Sequence, residues 1–159
     1  MSWYVRNVRD GKWWDCGPRG FVTELVVDDD PQVGVNLFVL GPGQPMSMYH
    51  WEADQEGFLV LSGEALLVVE DEERPLRAWD YFHCPPGVPH TIVGAGAGPA
   101  AILAVGAREH ANGDWGGYPY SEVAMKQDAS SAEETTDSKV AYARFPSGKP
   151  TEFREDWLS

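Results

Sequence analysis

The chain predicts a mostly β, antiparallel sandwich or barrel with a short helical C-terminal extension. Three observations carry this reading. Between about 34 and 107 the apolar stretches are short and recur roughly every ten residues; Gly and Pro separate them; and none of them shows helical periodicity. With 159 residues and no long linker, the chain predicts one domain, 1–159, large enough to bury about two thirds of the surface its unfolded form exposes. Within it the barrel core spans about 34–107, N-terminal strands lie within 3–30, and a helical docking tail covers 114–159.

Taken in order, "WYVRNV" (3–8) predicts an edge or docking strand, and "FVTELVV" (21–27) alternates enough to predict another. Six core strands follow at 34–40, 57–63, 64–70, 80–85, 90–95 and 100–107. Turns fall at Ser62-Gly63, Asp71-Glu72-Glu73, Pro85-Pro86-Gly87 and the glycine-rich 94–99, where the residue types favour chain reversal. After Gly113 the texture changes. "SEVAMKQDA" (121–129) predicts a short helix and 130–145 a longer one, because Ser130 and Ser131 each have Glu three residues on, a capping-box start. Phe145, Phe153 and Trp157 in the polar tail predict docking on the barrel or on a second subunit. No internal repeat is present, so a duplicated double barrel is excluded.

Twelve basic against 25 acidic side chains give a formal charge of −13, which repels phosphate backbones and anionic lipid surfaces. Nucleic acid is not an expected partner, and no apolar run is long enough to predict a membrane-spanning helix. Two cysteines, Cys16 and Cys84, are too few for a disulfide framework. With no basic-then-apolar leader, the expectation is an untargeted cytoplasmic protein.

The stretch "YHWEADQEGFLVLSG" (49–63) places His50, Glu52, Asp54 and Glu56 directly before a predicted buried strand. Side chains alternate along a strand, so His50 and Glu52 share a face. An unbroken strand would hold Glu56 about 20 Å from His50 at roughly 3.3 Å per residue. The chain must therefore turn within Ala53-Asp54-Gln55, after which Glu56, Phe58 and Val60 share the interior face. A carboxylate there needs a partner or a proton. A divalent metal, completed by His90 from "CPPGVPH", supplies one. Two histidines with one or two carboxylates suit Zn, Fe, Mn or Ni, and the oxygen content argues against copper(I). Glu52 is either a ligand or a solvated turn carboxylate. Met48, Tyr49, Trp51, Phe58 and Phe82 either line a pocket around the ion or belong to the core. Asp54 and Gln55 predict a solvated turn, with orientation of a ligand as the alternative; Cys84 predicts strand packing, His83 a strand residue and His110 a loop residue. No nucleophilic triad and no phosphate-binding loop is evident.

These residues resemble a family. His50-x-Glu52-x3-Glu56-x6-Gly63 resembles the first cupin motif, with Gly43 matching its opening glycine, and Pro85-x-Gly87-x2-His90 resembles the second, whose last position is taken by Val93 or Gly94. The short spacing between the motifs is similar to that of small bacterial single-domain cupins, and the likeness covers about 34–107. It implies an antiparallel double-stranded β-helix, the cupin jelly-roll barrel, usually with a metal, and commonly a homodimer. His50, Glu56 and His90 match ligand positions; Glu52 stands where a second histidine is usual. If both glutamates bind, a divalent ion is formally neutralised and polarises water or substrate less. The resemblance implies a small metal-binding protein with a pocket for a small molecule, among dioxygenases, sugar isomerases or epimerases and decarboxylases. The alternatives are a non-catalytic ligand-binding or sensing module and a purely structural oligomerisation barrel.

Overall fold

The computed structural model describes residues 2–158. Its strands are β1 (Trp13–Asp15), β2 (Phe21–Glu24), β3 (Val33–Leu40), β4 (Trp51–Glu52), β5 (Glu56–Ser62), β6 (Glu64–Val69), β7 (Glu72–Arg77), β8 (Tyr81–Cys84), β9 (His90–Ala95), β10 (Ala100–Ala107), β11 (Gly116–Gly117) and β12 (Lys149–Thr151), with helices α1 (Glu122–Lys126) and α2 (Ser138–Ala141). A seven-stranded sheet runs β12-β1-β2-β3-β10-β5-β8, and a three-stranded sheet runs β7-β6-β9. All pairings are antiparallel, and the two sheets face each other as the two walls of the barrel.

Alternation decides which side chains fill it. Leu40, Phe58, Val60, Ala65, Leu67, Ile92 and Ile102 point inward into one cluster, whereas Leu37 and Val39 on β3 and Val68 on β6 point outward. The outward residues are not left to water. Trp13 and Trp157 cover Leu37 and Val39, and Tyr49, Ala124 and Ala129 cover Val68. Between β5 and β6 only glycine serves, because Gly63 has φ +76° and a Cβ there would lie 2.4 Å from the Pro99 carbonyl oxygen.

The flanks differ from the sequence-based expectation in several places. Residues 3–7 form no strand, and Trp3 and Val5 are exposed; the segment docks instead through Tyr4, whose hydroxyl donates to the Leu25 carbonyl and accepts from the Val27 N–H. β2 stops at Glu24 instead of continuing to 27. The predicted longer helix contracts to α2. Ser130 and Ser131 are buried and turn their hydroxyls to the carbonyls of Ser131 and Glu133, while Thr135 bridges to Tyr118. Those local bonds replace a helix start, and Asp137 caps α2 by accepting from the Lys139 N–H. Ser121 caps the shorter predicted helix, α1, by accepting from the Ala124 N–H. The hairpin turn lies at Glu70-Asp71, both with positive φ, and β7 follows it, although "EERPLR" carries charges and Pro75. Both features are tolerated because β7 is an edge strand. No helix among the described residues is long and apolar enough to cross a membrane.

Phe153 and Trp157 return to the barrel and pack on Trp13, with ring centroids 6.0 and 4.8 Å away. Trp13 is fully buried, so Trp13→Ala is expected to cost about 3–5 kcal/mol, measured as a lower urea midpoint at unchanged slope. Cys84 sits in the core, where burial, and then the charges of Glu56, Glu52 and Glu70, push its thiol up to about 12. Iodoacetamide at pH 8 is expected to leave Cys84 unmodified in the native protein and to label it in urea, with mass spectrometry as the readout.

Candidate metal centre

His50 and His90 face each other across an antiparallel bridge. The His50 N–H donates to the His90 carbonyl at 3.1 Å, and the His90 N–H donates back at 2.8 Å. Residues paired in this way project their side chains to the same face, and the imidazole centroids are 4.9 Å apart. The chain then turns at Ala53-Asp54 and re-enters as β5, whose first residue, Glu56, shares the inward face with Phe58 and Val60. One ligand atom from each of His50, Glu56 and His90 lies within 4.8 Å of the others. Bonds of about 2 Å to a shared ion close such a gap with small side-chain movements.

The imidazoles are oriented from behind. Nδ1 of His50 meets the Met48 carbonyl at 2.8 Å, and Nδ1 of His90 meets the Val88 carbonyl at 3.0 Å. A carbonyl only accepts, so each Nδ1 carries the proton and each Nε2 presents a lone pair to the cavity. Those lone pairs face carboxylates: His90 Nε2 is 3.2 Å from Glu56 Oε2, and His50 Nε2 is 3.4 Å from Glu52 Oε1. Two acceptors do not attract without a cation between them. A proton on Nε2 would serve only with hydrogen-bond geometry, yet Glu56 Oε2 and His90 Nε2 are buried and make no hydrogen bond despite their proximity. The donor set therefore fits a divalent ion. Burial works against the Glu56 carboxylate, but the neighbouring His90 and His50 when protonated, and then Arg108, outweigh it and hold its carboxyl below the usual range; with both Nε2 atoms unprotonated, a bound cation would take over the imidazoles' part. Cys84 Sγ lies 3.2 Å from His90 Nδ1, on the back of the ring, away from the three converging atoms.

Glu52 stands apart from the group of three. Its Oε2 lies 3.7 Å from Arg108 Nη1, and the guanidinium fits there because Gly34 has no side chain; a Cβ at that position would be 2.4 Å from Arg108 Nη2. The expectation that two glutamates neutralise a divalent ion changes accordingly, since Arg108 offsets Glu52 by direct contact and leaves Glu56 as the carboxylate with no ion pair to an arginine. Arg108 is itself held by its loop. Asp54, expected in a solvated turn, is buried; it accepts from the His110 N–H at 2.9 Å and pairs with His110 Nδ1 at 2.6 Å. The hydrogen bonds from His110 hold the Asp54 carboxyl below its ordinary value, and Asp54 raises the His110 imidazole in turn.

A cavity of about 330 Å³ opens in front of these residues, and His50, Glu52, Glu56, Phe58, Arg108 and Arg19 are among its walls. Of the aromatic and Met residues expected near the ion, Phe58 lines the cavity. Met48 does not: the chain bends between 46 and 49, so strand parity does not carry back from His50, and Met48 is buried with Tyr118 and Ala141. Phe82 points inward but lies behind the cavity wall, 5.8 Å from the Phe58 ring and 5.7 Å from the His90 ring. Tyr49 and Trp51 have the opposite parity to His50 and Glu52, and face away. His83 is on the outer face of β8. The wall residues that sequence reasoning missed include Arg19, Arg108, Trp115, Tyr118 and Tyr142. Arg108 had a signal, since it continues the inward parity of Ile102, Ala104 and Gly106. The others come from flanks brought in by tertiary pairing: β11 pairs with β4 and sets Trp115 and Tyr118 against His50, at 6.4 and 6.0 Å between ring centroids.

Residues 36–106 match the cupin domain family. Over 64 residues the chain is 38% identical to 3-hydroxyanthranilate 3,4-dioxygenase of Xanthomonas euvesicatoria pv. vesicatoria, a match covering 38% of this chain and 36% of that protein. It thus spans only about a third of the relative's length. Among solved structures, a sugar phosphate isomerase of the cupin superfamily from Silicibacter pomeroyi is 32% identical, with a TM-score of 0.50 over 56% of this chain and 60% of that one. An RmlC-like cupin from Shewanella frigidimarina shares the fold at 18% identity, with a TM-score of 0.58 over 67% of this chain and 91% of that one. The two-walled barrel, the paired histidines at its mouth and these matches together show that the chain carries a small bacterial-type cupin domain.

Proposed function

We propose that this cupin is a mononuclear metal enzyme of the oxygenase type, in which His50, Glu56 and His90 hold one divalent ion and the cavity admits a small oxygenated substrate. The observation that carries this reading is the convergence of two lone-pair-bearing Nε2 atoms and one buried carboxylate oxygen on one point, with the opposite side open to the cavity. Two histidines and one carboxylate on one face, with open positions beyond, are the donor set of non-haem iron(II) oxygenases. The likeness to 3-hydroxyanthranilate 3,4-dioxygenases supports the same class. An ion such as iron(II) bound there would supply dioxygen activation and Lewis acidity towards substrate oxygens.

The chain's own groups do the rest. The carbonyls of Met48 and Val88 fix the imidazole tautomers. Glu52, steadied by Arg108 at 3.7 Å, stands beside the open positions and takes the proton of a substrate hydroxyl as it binds. Phe58, Phe38 and Met46 exclude water from the inner wall. Tyr118 and Tyr142 remain protonated, because burial pushes both hydroxyls up.

Protein purified without chelator is expected to carry about one equivalent of divalent transition metal, and His90→Ala and Glu56→Gln each below about a tenth, by inductively coupled plasma mass spectrometry. Metal-free wild-type protein would end the metal reading. Iron(II)-loaded protein is expected to consume oxygen with a member of a panel of hydroxylated aromatic acids, and Glu52→Gln to retain metal while losing roughly 10²–10⁴-fold in rate. Metal and ligand binding without any oxygen uptake would make the chain a binding module instead.

A further inference from the structure

We propose that Arg19 is the anion anchor of the cavity and that it selects ligands bearing a single carboxylate. This rests on the reading of the cavity as the ligand site. Arg19 lies on the short turn Gly17–Arg19, outside the matched residues 36–106, and reaches the same cavity as His50 and Glu56. Its Nε is sealed from solvent and meets no acceptor. Among the described residues it makes no ion pair, while the other cavity cation, Arg108, is engaged by Glu52. A buried donor without a partner is destabilising, so something must hold Arg19 in place. The guanidinium lies 4.7 Å over the Tyr142 ring and 5.8 Å from that of Phe145. Tyr142 is fixed in turn, its hydroxyl accepting from the Met48 N–H at 3.0 Å. The guanidinium is thus pre-organised, its Nε buried behind it, and it can receive an anion only through the nitrogens it turns to the cavity.

The walls decide which anion. One free guanidinium matches one carboxylate through two parallel N–H···O bonds. A phosphate dianion would bring a second negative charge into a cavity already lined by Glu24, Glu52 and Glu56. At about 330 Å³ the cavity lies at the small end of ligand sites, and Val22, Phe38, Met46 and Phe58 offer it an apolar wall. The ligand is therefore a compact acid of about one ring, with its carboxylate on Arg19 and its other polar end towards His50 and Glu56.

Isothermal titration with salicylate, catechol and phenyl phosphate tests this, with metal content measured on each sample. Wild-type protein is expected to bind salicylate at least about tenfold more tightly than either other probe. Arg19→Gln should lose that preference while its catechol affinity stays within about twofold and its metal content is unchanged. Arg19→Lys, which keeps the charge but not the fork, should keep only part of the preference, and it decides the matter if the Gln variant does not fold. A salicylate preference undiminished in both variants, or phenyl phosphate bound as tightly as salicylate by the wild type, overturns the proposal. A metal-free sample with an Arg19-dependent preference overturns the enzyme reading alone. A metal-bearing sample with no preference overturns the anchor alone.

Discussion

Two backbone hydrogen bonds between His50 and His90 set the geometry on which the site depends. They join the segment before β4 to the start of β9, so the imidazoles stand side by side whatever ion or substrate arrives. Side-chain contacts alone would not hold two rotatable rings to one spacing. The carbonyls of Met48 and Val88 complete the arrangement by accepting hydrogen bonds from the Nδ1–H groups. These groups are main chain, so the sheet that builds the barrel also orients both imidazoles, and the affinity of an ion held there would be coupled to folding through the same bonds.

Charge is distributed around that pair with some economy. The chain as a whole is strongly acidic, and three glutamates line the cavity. Left alone, that many carboxylates at a barrel mouth would repel an anionic substrate. Arg108 removes Glu52 from the balance, and the Asp54–His110 pair holds the loop that carries Arg108. Of the two glutamates that face the imidazoles, Glu56 has no arginine in contact with it. An ion held there keeps more of its Lewis acidity than one facing two free carboxylates.

The barrel and the approach of His50, Glu56 and His90 to one another were legible in the sequence for a common reason: both depend on strand parity and on turns with strict residue requirements. Glu56 could be placed inward because a turn at 53–55 was the sole way to bring it near His50, and the turn is there. Gly63 marked a reversal no other residue would make. Parity also had its limits. It failed for Met48, where the backbone bends, and it could not show that Phe82 lies a layer deeper than Phe58. β7 escaped notice because an edge strand tolerates charge and proline. The longer predicted helix failed because Ser130 and Ser131 find carbonyl partners at hand. Arg19, Trp115 and Tyr142 were invisible for a different reason, as their positions follow from strand pairings made far along the chain.

That last contrast bears on how such a barrel acquires its specificity. The candidate donor atoms come from β5, β9 and the segment bridged to β9, all within the matched domain, where backbone pairing constrains them tightly. Much of the outer wall of the cavity comes from outside it: Arg19 from the N-terminal turn, Trp115 and Tyr118 from the strand laid on β4, and Tyr142 just after α2. These segments are anchored by aromatic packing, through Trp13 and Trp157 on one side and Tyr118 against Tyr142 on the other. Packing of that kind tolerates changes in side-chain identity better than a backbone bridge does. A cupin can therefore keep its metal-binding face and change its ligand by altering the flanks, and the unpartnered guanidinium of Arg19 lies at the seam between the two.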